Sequence, residues 1–488
     1  MVWQGKYERL FIGGEWVKPG SKGRIDIVSP STEQVIATVP AASRDDVDRA
    51  VTAARAAFER GPWPQLALED RIDVLQRLAA AMEEQSDLLA DLTTDEMGCP
   101  ITQSRTIQIP AALAILNSYI EIAKSYPFQA VRQSPTGTAL VVREPIGVVA
   151  AVIPWNTPLA SAMQKLAPAL LTGCSFILKP APETPLTAYW LAESLEAAGL
   201  PAGVFSVLPA DRETSEYLVS HKGVDKVAFT GSTSAGRKIA SITGQDLRRV
   251  TLELGGKSAA VILDDADFDA VTDRLRMGSF RNNGQICSLK TRVVVSERRK
   301  QELIDRLVAM VQSMPVGDPH NPSTQIGPMV SARQRGNVEE YIEIGRKEGG
   351  KVLLGGRRPP GLDRGWYIEP TIFTEVEPGA RIAQEEIFGP VLAIISYRDE
   401  TEAVDIANNS RYGLNGSVFT DDIERGLRLA RKIRTGTVEI NGNPVGSFAP
   451  VGGFKDSGIG RESGPEGLDA YLEVKSIGLP LGFRSQPV

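Results

Sequence analysis

The chain has 488 residues, 42% of them hydrophobic and 23% charged, and its formal net charge is −6. This composition is ordinary for a globular protein of about three domains. The mild negative charge and the lack of a dense Lys/Arg stripe argue against nucleic-acid binding.

The numbers and spacing of the cysteines and histidines argue against a disulfide framework and a metal site. Cys99, Cys174 and Cys287 are too few and too scattered for a disulfide framework or a zinc site. A reducing cytoplasm would keep them as thiols. His221 and His320 form no metal-binding motif. The N-terminus lacks a signal-peptide core, and the longest apolar stretches fall short of the ~20 residues of a membrane span. We therefore expect a cytoplasmic protein without a metal, nucleic acid or membrane as partner.

The first part of the sequence predicts short strands followed by helices. Residues 9–17 predict two short strands around a Gly-Gly turn. Ser43 predicts the start of a helix, because Asp46 stands three residues later as in a capping box. Helical patterns continue over 69–97 and 101–125.

Residues 127–145 predict a strand-turn-strand unit around Ser134–Gly137. This hairpin either packs on its own domain or reaches to another subunit, and the pattern is compatible with both. A further strand is predicted at the end of the chain, over Tyr471–Leu479.

From residue 146 onward, short apolar runs alternate with helical segments, which predicts a parallel α/β sheet. Ligands bind at the carboxyl ends of the strands in such sheets, so the residues that follow each run are candidates for function. A second α/β region follows the first. The predicted strands are Val148–Ile153, Ser175–Leu178, Val204–Leu208, Val227–Phe229, Ala259–Leu263, Arg292–Val295 and Val391–Ser396, and helices are predicted over 268–281, 301–314 and 333–348.

Three of these strand ends, and the glycine-flanked Glu253, carry residues that suit catalysis or binding, and each has a structural alternative. Asn156 could donate to an oxyanion or cap the next helix through an Asx turn. Lys179 could bind ribose or phosphate, or be a solvated charge. Gly231 and Ser232 could hold phosphate at a helix start, although the GxGxxG fingerprint is absent. Glu253 could be a general base of raised pKa or a surface glutamate.

The motifs elsewhere in the sequence decide how Cys287 is interpreted. A thiolate is a strong nucleophile, but a lone cysteine is more often a small buried hydrophobe. Six motifs, in family order and with the family spacing from Glu253 to Cys287, resemble the NAD(P)-dependent aldehyde dehydrogenase superfamily over nearly the whole chain. They are Pro154-Trp155-Asn156, Phe229-Thr230-Gly231-Ser232, Glu253–Lys257, Gly284–Cys287, Glu385–Val391 and Gly452–Gly458.

The resemblance implies a covalent mechanism. Cys287 attacks the aldehyde, and the Asn156 amide and the Cys287 backbone N–H hold the oxyanion of the thiohemiacetal. Hydride passes to the nicotinamide and leaves a thioester, and Glu253 activates the water that releases the acid. The implied cofactor-binding residues are Trp155, Lys179, Gly231, Ser232, Glu386 and Phe388.

The resemblance also implies an α/β fold of three parts. A Rossmann-like NAD(P)-binding domain would comprise 1–126 and 146–254, and an α/β catalytic domain 255–456. A small β arm formed by 127–145 and 470–488 would join subunits into a homodimer or homotetramer.

The chain departs from the family pattern at Pro182, where many NAD-preferring relatives carry a glutamate that repels a 2′-phosphate. We therefore expect NAD use with weakened discrimination against NADP. Glu183 is expected to point elsewhere, because neighbouring side chains of an extended segment face opposite ways.

A second departure concerns the substrate pocket. Val451 stands where many relatives have phenylalanine, and Thr157 and Ser161 are small. With Ile286 and Ser288 as further pocket residues, we expect room for medium-chain, terpenoid or aromatic aldehydes.

Two rival functions are weighed against this prediction. A coenzyme A-acylating semialdehyde dehydrogenase typically lacks the water-activating glutamate, whereas Glu253 is present. A non-catalytic scaffold resembling a lens crystallin is disfavoured because Cys287, Glu253 and Asn156 are all in place.

Overall fold

The computed structural model describes residues 7–480. Residues 1–6 of the predicted cofactor domain and 481–488 of the predicted arm lie outside this part of the chain. The strands are β1 (Leu10–Ile12), β2 (Glu15–Val17), β3 (Arg24–Val28), β4 (Val35–Pro40), β5 (Gln129–Ser134), β6 (Gly137–Pro145), β7 (Val148–Val152), β8 (Ser175–Lys179), β9 (Phe205–Val207), β10 (Lys226–Thr230), β11 (Arg249–Glu253), β12 (Ser258–Ile262), β13 (Lys290–Ser296), β14 (Lys351–Leu354), β15 (Thr371–Thr374), β16 (Val391–Tyr397), β17 (Tyr412–Gly413), β18 (Gly416–Phe419), β19 (Glu439–Ile440), β20 (Phe454–Lys455), β21 (Gly458–Ile459) and β22 (Leu472–Leu479).

The helices alternate with these strands along most of the chain. They are α1 (Arg44–Arg60), α2 (Leu68–Glu84), α3 (Ser86–Met97), α4 (Ile101–Gln103), α5 (Ile109–Ser125), α6 (Pro158–Thr172), α7 (Leu186–Ala197), α8 (Arg212–Ser220), α9 (Thr233–Gln245), α10 (Phe268–Phe280), α11 (Lys300–Gln312), α12 (Ala332–Lys347), α13 (Arg381–Gln384), α14 (Glu400–Asn408), α15 (Ile423–Ala430) and α16 (Gly464–Asp469).

The first large sheet has the strand order β2-β1-β9-β8-β7-β10-β11-β21. Its centre, from β9 to β11, is parallel, and β1, β2 and β21 pair antiparallel at the edges. Every residue of β7 and β8 is buried, as expected for strands covered by helices on both faces. The predicted parallel α/β fold is confirmed.

The second large sheet has the order β14-β15-β16-β13-β12-β18-β19, in which β14 pairs antiparallel and the other strands pair parallel. The buried guanidinium of Arg292 on β13 ties this sheet to its surroundings. It donates to the carbonyls of Lys257, Ile406 and Ala407 at 2.8, 2.9 and 3.0 Å. The hydrogen bond to the Lys257 carbonyl fixes the segment that connects β11 of the first sheet to β12 of the second.

A separate three-stranded antiparallel sheet has the order β22-β6-β5. The predicted hairpin and the predicted C-terminal strand therefore pair with each other, with Leu472 opposite Pro145 and Leu479 opposite Thr138. The boundaries of the predicted domains themselves remain a prediction.

The helical pattern predicted over 69–97 forms two helices, α2 and α3, which meet at Gln85. The side chain of Gln85 accepts a hydrogen bond from the Trp190 indole N–H at 3.0 Å. The capping box at Ser43 and Asp46 is confirmed.

The helical pattern predicted over 101–125 contains a π turn at Ser104–Gln108, which interrupts the α-helical hydrogen bonding. Pro110, near the start of α5, explains the interruption, because a proline ring clashes with the carbonyl four residues earlier in a regular α-helix. The combined segment Ile101–Ser125 is apolar and long enough to span a membrane by composition and length, contrary to the sequence-based expectation, but half of its apolar window is buried. It packs against α2, α6 and α16, as a core helix does.

Candidate active site

A cavity of about 830 Å³ opens where strand ends of the two large sheets come together. Most of the predicted site residues line it, and Lys179 and Ile286 are the two that do not. The predicted residues in its wall are Trp155, Asn156, Thr157, Ser161, Gly231, Ser232, Glu253, Cys287, Ser288, Glu386, Phe388 and Val451.

The loop before Cys287 has an unusual backbone. Asn282, Asn283 and Gly284 are consecutive left-handed residues, with φ of 53°, 60° and 77°. Such a run is unfavourable for side chains other than glycine, and persists only where the surroundings fix it. A Cβ on Gly284 would lie 2.2 Å from the carbonyl carbon of Gly389, so this position also requires glycine for space.

Hydrogen bonds of the buried Asn283 side-chain amide hold this loop in place. The Asn283 amide donates to the carbonyls of Gly98 and Pro328, both at 2.9 Å, and its oxygen accepts from the N–H of Gly327 at 2.6 Å. All of these hydrogen bonds are in the interior, where unmade hydrogen bonds cost the most. The loop is therefore anchored before the chain reaches Cys287.

Cys287 is a free thiol at the cavity wall. Burial raises its pKa to about 12, and the neighbouring carboxylates of Glu386 and Glu253 contribute in the same direction. Arg281 offsets the shift only in part. Cys287 of the free protein is consequently held as a thiol at neutral pH.

Asn156 faces the loop that carries Cys287. Its side-chain N–H donates to the carbonyl of Gln285 at 2.9 Å, and its own carbonyl accepts from the Asn282 amide at 3.0 Å. Asn156 does not cap the next helix. The N-cap residue of α6 is Thr157, and no side chain caps that helix end by a hydrogen bond. One N–H of the Asn156 amide remains for an oxygen in the cavity.

Glu253 ends β11 beside a buried ion pair. Burial raises its pKa well above the usual range, and the neighbouring Glu462 carboxylate adds to the effect. The Glu253 Oε1 atom accepts no hydrogen bond from residues 7–480. Lys165 Nζ lies 2.6 Å from Glu462 Oε1 and also donates to Thr230 at 2.6 Å.

Sequence reasoning missed Lys165 and Glu462. The available signal was a lysine within the otherwise apolar run of α6, which is buried almost throughout. Buried charges are rare unless paired, so such a lysine predicts a partner carboxylate. Its partner lies far along the chain and has no local signal.

The carboxyl group of Glu386 lies against the main chain of Gly255 and Gly256. Its Oε1 atom accepts from the Gly256 N–H at 3.1 Å, and burial raises the pKa of the carboxyl to about 7. A Cβ on Gly255 would lie 2.2 Å from Glu386 Oε2, so glycine is required for this approach.

Phe388 and Trp155 form an edge-to-face pair in the cavity, with ring centroids 5.3 Å apart. Phe388 has a left-handed backbone with φ of 58°, and its carbonyl accepts from the Gln334 amide at 2.8 Å. This contact gives the strained residue a fixed position.

Lys179, Gly231 and Ser232 lie at strand ends of the first sheet. Lys179 ends β8, and burial lowers the pKa of its amine to about 8. Ser232 caps α9 by accepting from the Ala235 N–H at 3.4 Å. The start of α9 thus presents N–H groups and a positive helix end beside the cavity, which suits an anion.

The Glu183 carboxylate lies 3.6 Å from the Arg333 guanidinium, and its charge also acts on Lys179 by raising the pKa of that amine against the larger effect of burial. Pro182 is half-buried and provides neither an acceptor nor a charge.

The outer part of the cavity has small and apolar walls. Thr157 and Ser161 hydrogen-bond each other through their hydroxyls at 2.9 Å. Val451 is fixed by paired backbone bonds with Glu462 at 2.7 and 2.9 Å. Further lining residues that sequence reasoning did not name include Ala111, Ala114, Ile115, Pro444, Val445, Gly446 and Ser447, and the polar Gln164, Asn415, Thr437 and Glu439.

Comparison with known proteins identifies the family. A family model described as "Aldehyde dehydrogenase family" matches residues 16–477. The chain belongs to the aldehyde dehydrogenase family. Geranial dehydrogenase of Castellaniella defragrans is 46% identical to it over 96% of this chain and 98% of that protein.

Solved aldehyde dehydrogenases share the fold. The enzyme of Mycobacterium tuberculosis complexed with NAD+ has a TM-score of 0.97 and 44% identity, covering 98% of this chain and 99% of that one. A mutant of aldehyde dehydrogenase C from Pseudomonas syringae in complex with NAD+ and octanal has a TM-score of 0.94 and 39% identity, covering 99% and 98%. The predicted family is thus confirmed.

Replacing Gly284 with alanine tests whether the left-handed loop positions this aldehyde dehydrogenase's thiol. We expect Gly284→Ala to lower the thermal midpoint and abolish activity, because the added Cβ meets Gly389. Gly361→Ala is the matched control, since Gly361 has a similar φ of +79° but open space around it, and should cost only about 1 kcal/mol. Equal effects of the two substitutions on stability and activity would contradict the account.

Alkylation of Cys287 by iodoacetamide reports the raised pKa of the thiol. Below a pKa of about 12, the thiolate fraction of the free enzyme grows roughly tenfold per pH unit. We expect the labelling rate, followed by peptide mass spectrometry, to rise between pH 7 and pH 10 without a plateau. Cys99 and Cys174 are buried and should stay unlabelled. A plateau near neutral pH would show a lowered pKa instead.

Proposed function

We propose that this chain is an NAD-dependent aldehyde dehydrogenase that oxidises an aldehyde to the carboxylic acid through a covalent intermediate on Cys287. The observation that carries the proposal is the convergence of Cys287, the Asn156 amide and the Glu253 carboxylate on one cavity. A thiol suits the task because it adds to a carbonyl and also leaves as a thiolate.

In this mechanism Cys287 releases its thiol proton to solvent in the open cavity, and the sulfur attacks the carbonyl carbon of the aldehyde. The remaining N–H of Asn156 and the backbone N–H of Cys287 stabilise the oxygen that becomes negative. Glu253, with one carboxylate oxygen left without a partner among the described residues, takes a proton from the water that hydrolyses the thioester.

The residues around the cavity fit a dinucleotide. Glu386 offers a carboxylate for ribose hydroxyls, Lys179 a buried amine, and Ser232 with the start of α9 a place for phosphate. Trp155 and Phe388 give the cavity an aromatic wall. The nicotinamide cofactor supplies the hydride acceptor when bound.

Glu253→Gln separates the two halves of the reaction. The variant should form about one NADH per active site in a burst and then stop, because the thioester is no longer hydrolysed at the normal rate. Stopped-flow absorbance measures the burst, and Cys287→Ala, which should show neither phase, is the control. A steady-state rate equal to that of the unmodified enzyme would rule out Glu253 as the base.

The coenzyme A-acylating alternative is tested in the same assay. Steady-state acid formation without coenzyme A supports hydrolysis, whereas turnover that requires coenzyme A and yields an acyl thioester would favour the alternative. The non-catalytic scaffold predicts no NADH at all.

NADP should be accepted beside NAD, because Pro182 carries no charge to repel a 2′-phosphate. We expect kcat/KM values for the two cofactors within about tenfold of each other, one tenfold step being about 1.4 kcal/mol. Pro182→Glu should raise the preference for NAD by at least that factor. A large NAD preference in the unmodified enzyme would contradict this expectation.

A medium-chain or bulky apolar aldehyde is the proposed substrate class. Small residues on α5 and α6 and the aliphatic Val451 leave an apolar path to Cys287, and relatives include a geranial dehydrogenase and an octanal complex. Octanal and geranial should therefore exceed acetaldehyde in kcat/KM. Val451→Phe should narrow the path and reduce kcat/KM for octanal more than for acetaldehyde. A higher kcat/KM for acetaldehyde in the unmodified enzyme would overturn the proposed class.

We further propose that the enzyme is a cytoplasmic homodimer or homotetramer. The β5-β6-β22 sheet supports this assembly, because Val474 and Ile477 on β22 are 64% and 43% exposed and would be covered by another subunit. Free thiols are in keeping with a reducing compartment.

A further inference from the structure

The π turn at Ser104–Gln108 lies directly against the catalytic loops. Its defining hydrogen bond runs from the N–H of Ile109 to the carbonyl of Ser104, five residues back. π turns within α-helices are rare and occur frequently at functional sites.

The π turn changes which side chains lie on the same side of the helix. In an α-helix each residue advances by about 100°, so residues five apart point roughly 140° apart. A π turn closes over five residues and brings such a pair onto nearly the same side. Gln103 and Gln108 are such a pair, and both are buried, at 7% and 8% exposure.

Both glutamine side chains bind the main chain of the site. The Gln108 amide donates to the Asn156 carbonyl at 3.2 Å. The Gln103 side chain accepts from the Asn282 N–H at 2.8 Å and donates to the Gln325 carbonyl at 2.8 Å. The π turn therefore contacts both the residue that donates to the oxyanion and the loop that carries the nucleophile.

We propose that Gln108 is a positioning residue for oxyanion stabilisation that acts through Asn156, and that the π turn exists to bring it there together with Gln103. This inference rests on the proposed aldehyde oxidation. The Asn156 carbonyl has two side-chain donors, Gln108 and Asn282, which fix the peptide on both sides. Without Gln108 the peptide can tilt, and the free N–H of the Asn156 amide then misses the developing oxyanion.

Gln108→Met tests the proposal, because it keeps the size of the side chain but removes the amide. We expect kcat/KM for octanal to fall about tenfold or more, since small misplacements at the reacting centre reduce rates strongly. The rate of Cys287 alkylation should stay unchanged, because it needs no oxyanion donor.

Thr106→Ala is the matched control on the same π turn. Thr106 is exposed and its hydroxyl bonds within the helix, to the Thr102 carbonyl at 2.7 Å. We expect unchanged activity for this variant. If it lost as much activity as Gln108→Met, general disturbance of the turn would be the cause and the proposal would fail.

A double-mutant cycle with Asn156→Ala shows whether Gln108 acts through Asn156. In that background the oxyanion donor is gone, so Gln108→Met should cause no further loss of kcat/KM. A loss of the same factor in both backgrounds overturns the proposal.

Gln108→Glu keeps the proposal testable if the methionine variant folds poorly. The introduced carboxyl can donate to the Asn156 carbonyl when it is protonated, whereas its ionised form repels that carbonyl, and burial raises the pKa of such a carboxyl. The ratio of variant to unmodified kcat/KM should therefore rise as pH falls. A flat ratio overturns the inference, while an unmodified enzyme that oxidises no aldehyde overturns the proposed function instead.

Discussion

The left-handed run from Asn282 to Gly284 is the constraint on which the rest of the site depends. Two asparagines in this conformation are unfavourable, and their interior hydrogen bonds compensate for the strain. The run turns the chain so that the Gln285 carbonyl meets the Asn156 amide and the Cys287 thiol reaches the cavity. Residues from both large sheets are thereby brought to one point, which neither sheet could achieve alone.

The electrostatics of the cavity follow from burying carboxyl groups near a thiol. Burial raises the pKa values of Glu253, Glu386 and Cys287, and the two carboxyl groups add to the shift of the thiol. Lys165, paired with Glu462, is the main opposing charge near Glu253. These directions favour the protonated forms of the two carboxyl groups and of the thiol in the free site.

Much of this arrangement follows from sequence rules. Parallel strands end at one edge of a sheet, which is why Asn156, Lys179 and Gly231 could be named from the apolar runs before them. Glu253 was named from its glycine-flanked motif, because the strand that it ends, β11, was not predicted. Family motifs added Cys287 and Glu386. The Lys165–Glu462 pair and the Gln108 contact could not be predicted, because each joins residues that lie far apart in the chain and have no local pattern. The π turn was missed because the apolar periodicity of 101–125 resembles one continuous helix.

The central claim is that Cys287 carries the acyl group during turnover. Acid quenching of the unmodified enzyme during steady-state oxidation of octanal, followed by peptide mass spectrometry, tests it most directly. We expect an octanoyl group on the peptide that contains Cys287, and only when NAD and octanal are both present. NADH formation with an acyl group on another residue, or with no acyl group at any quench time, would contradict it.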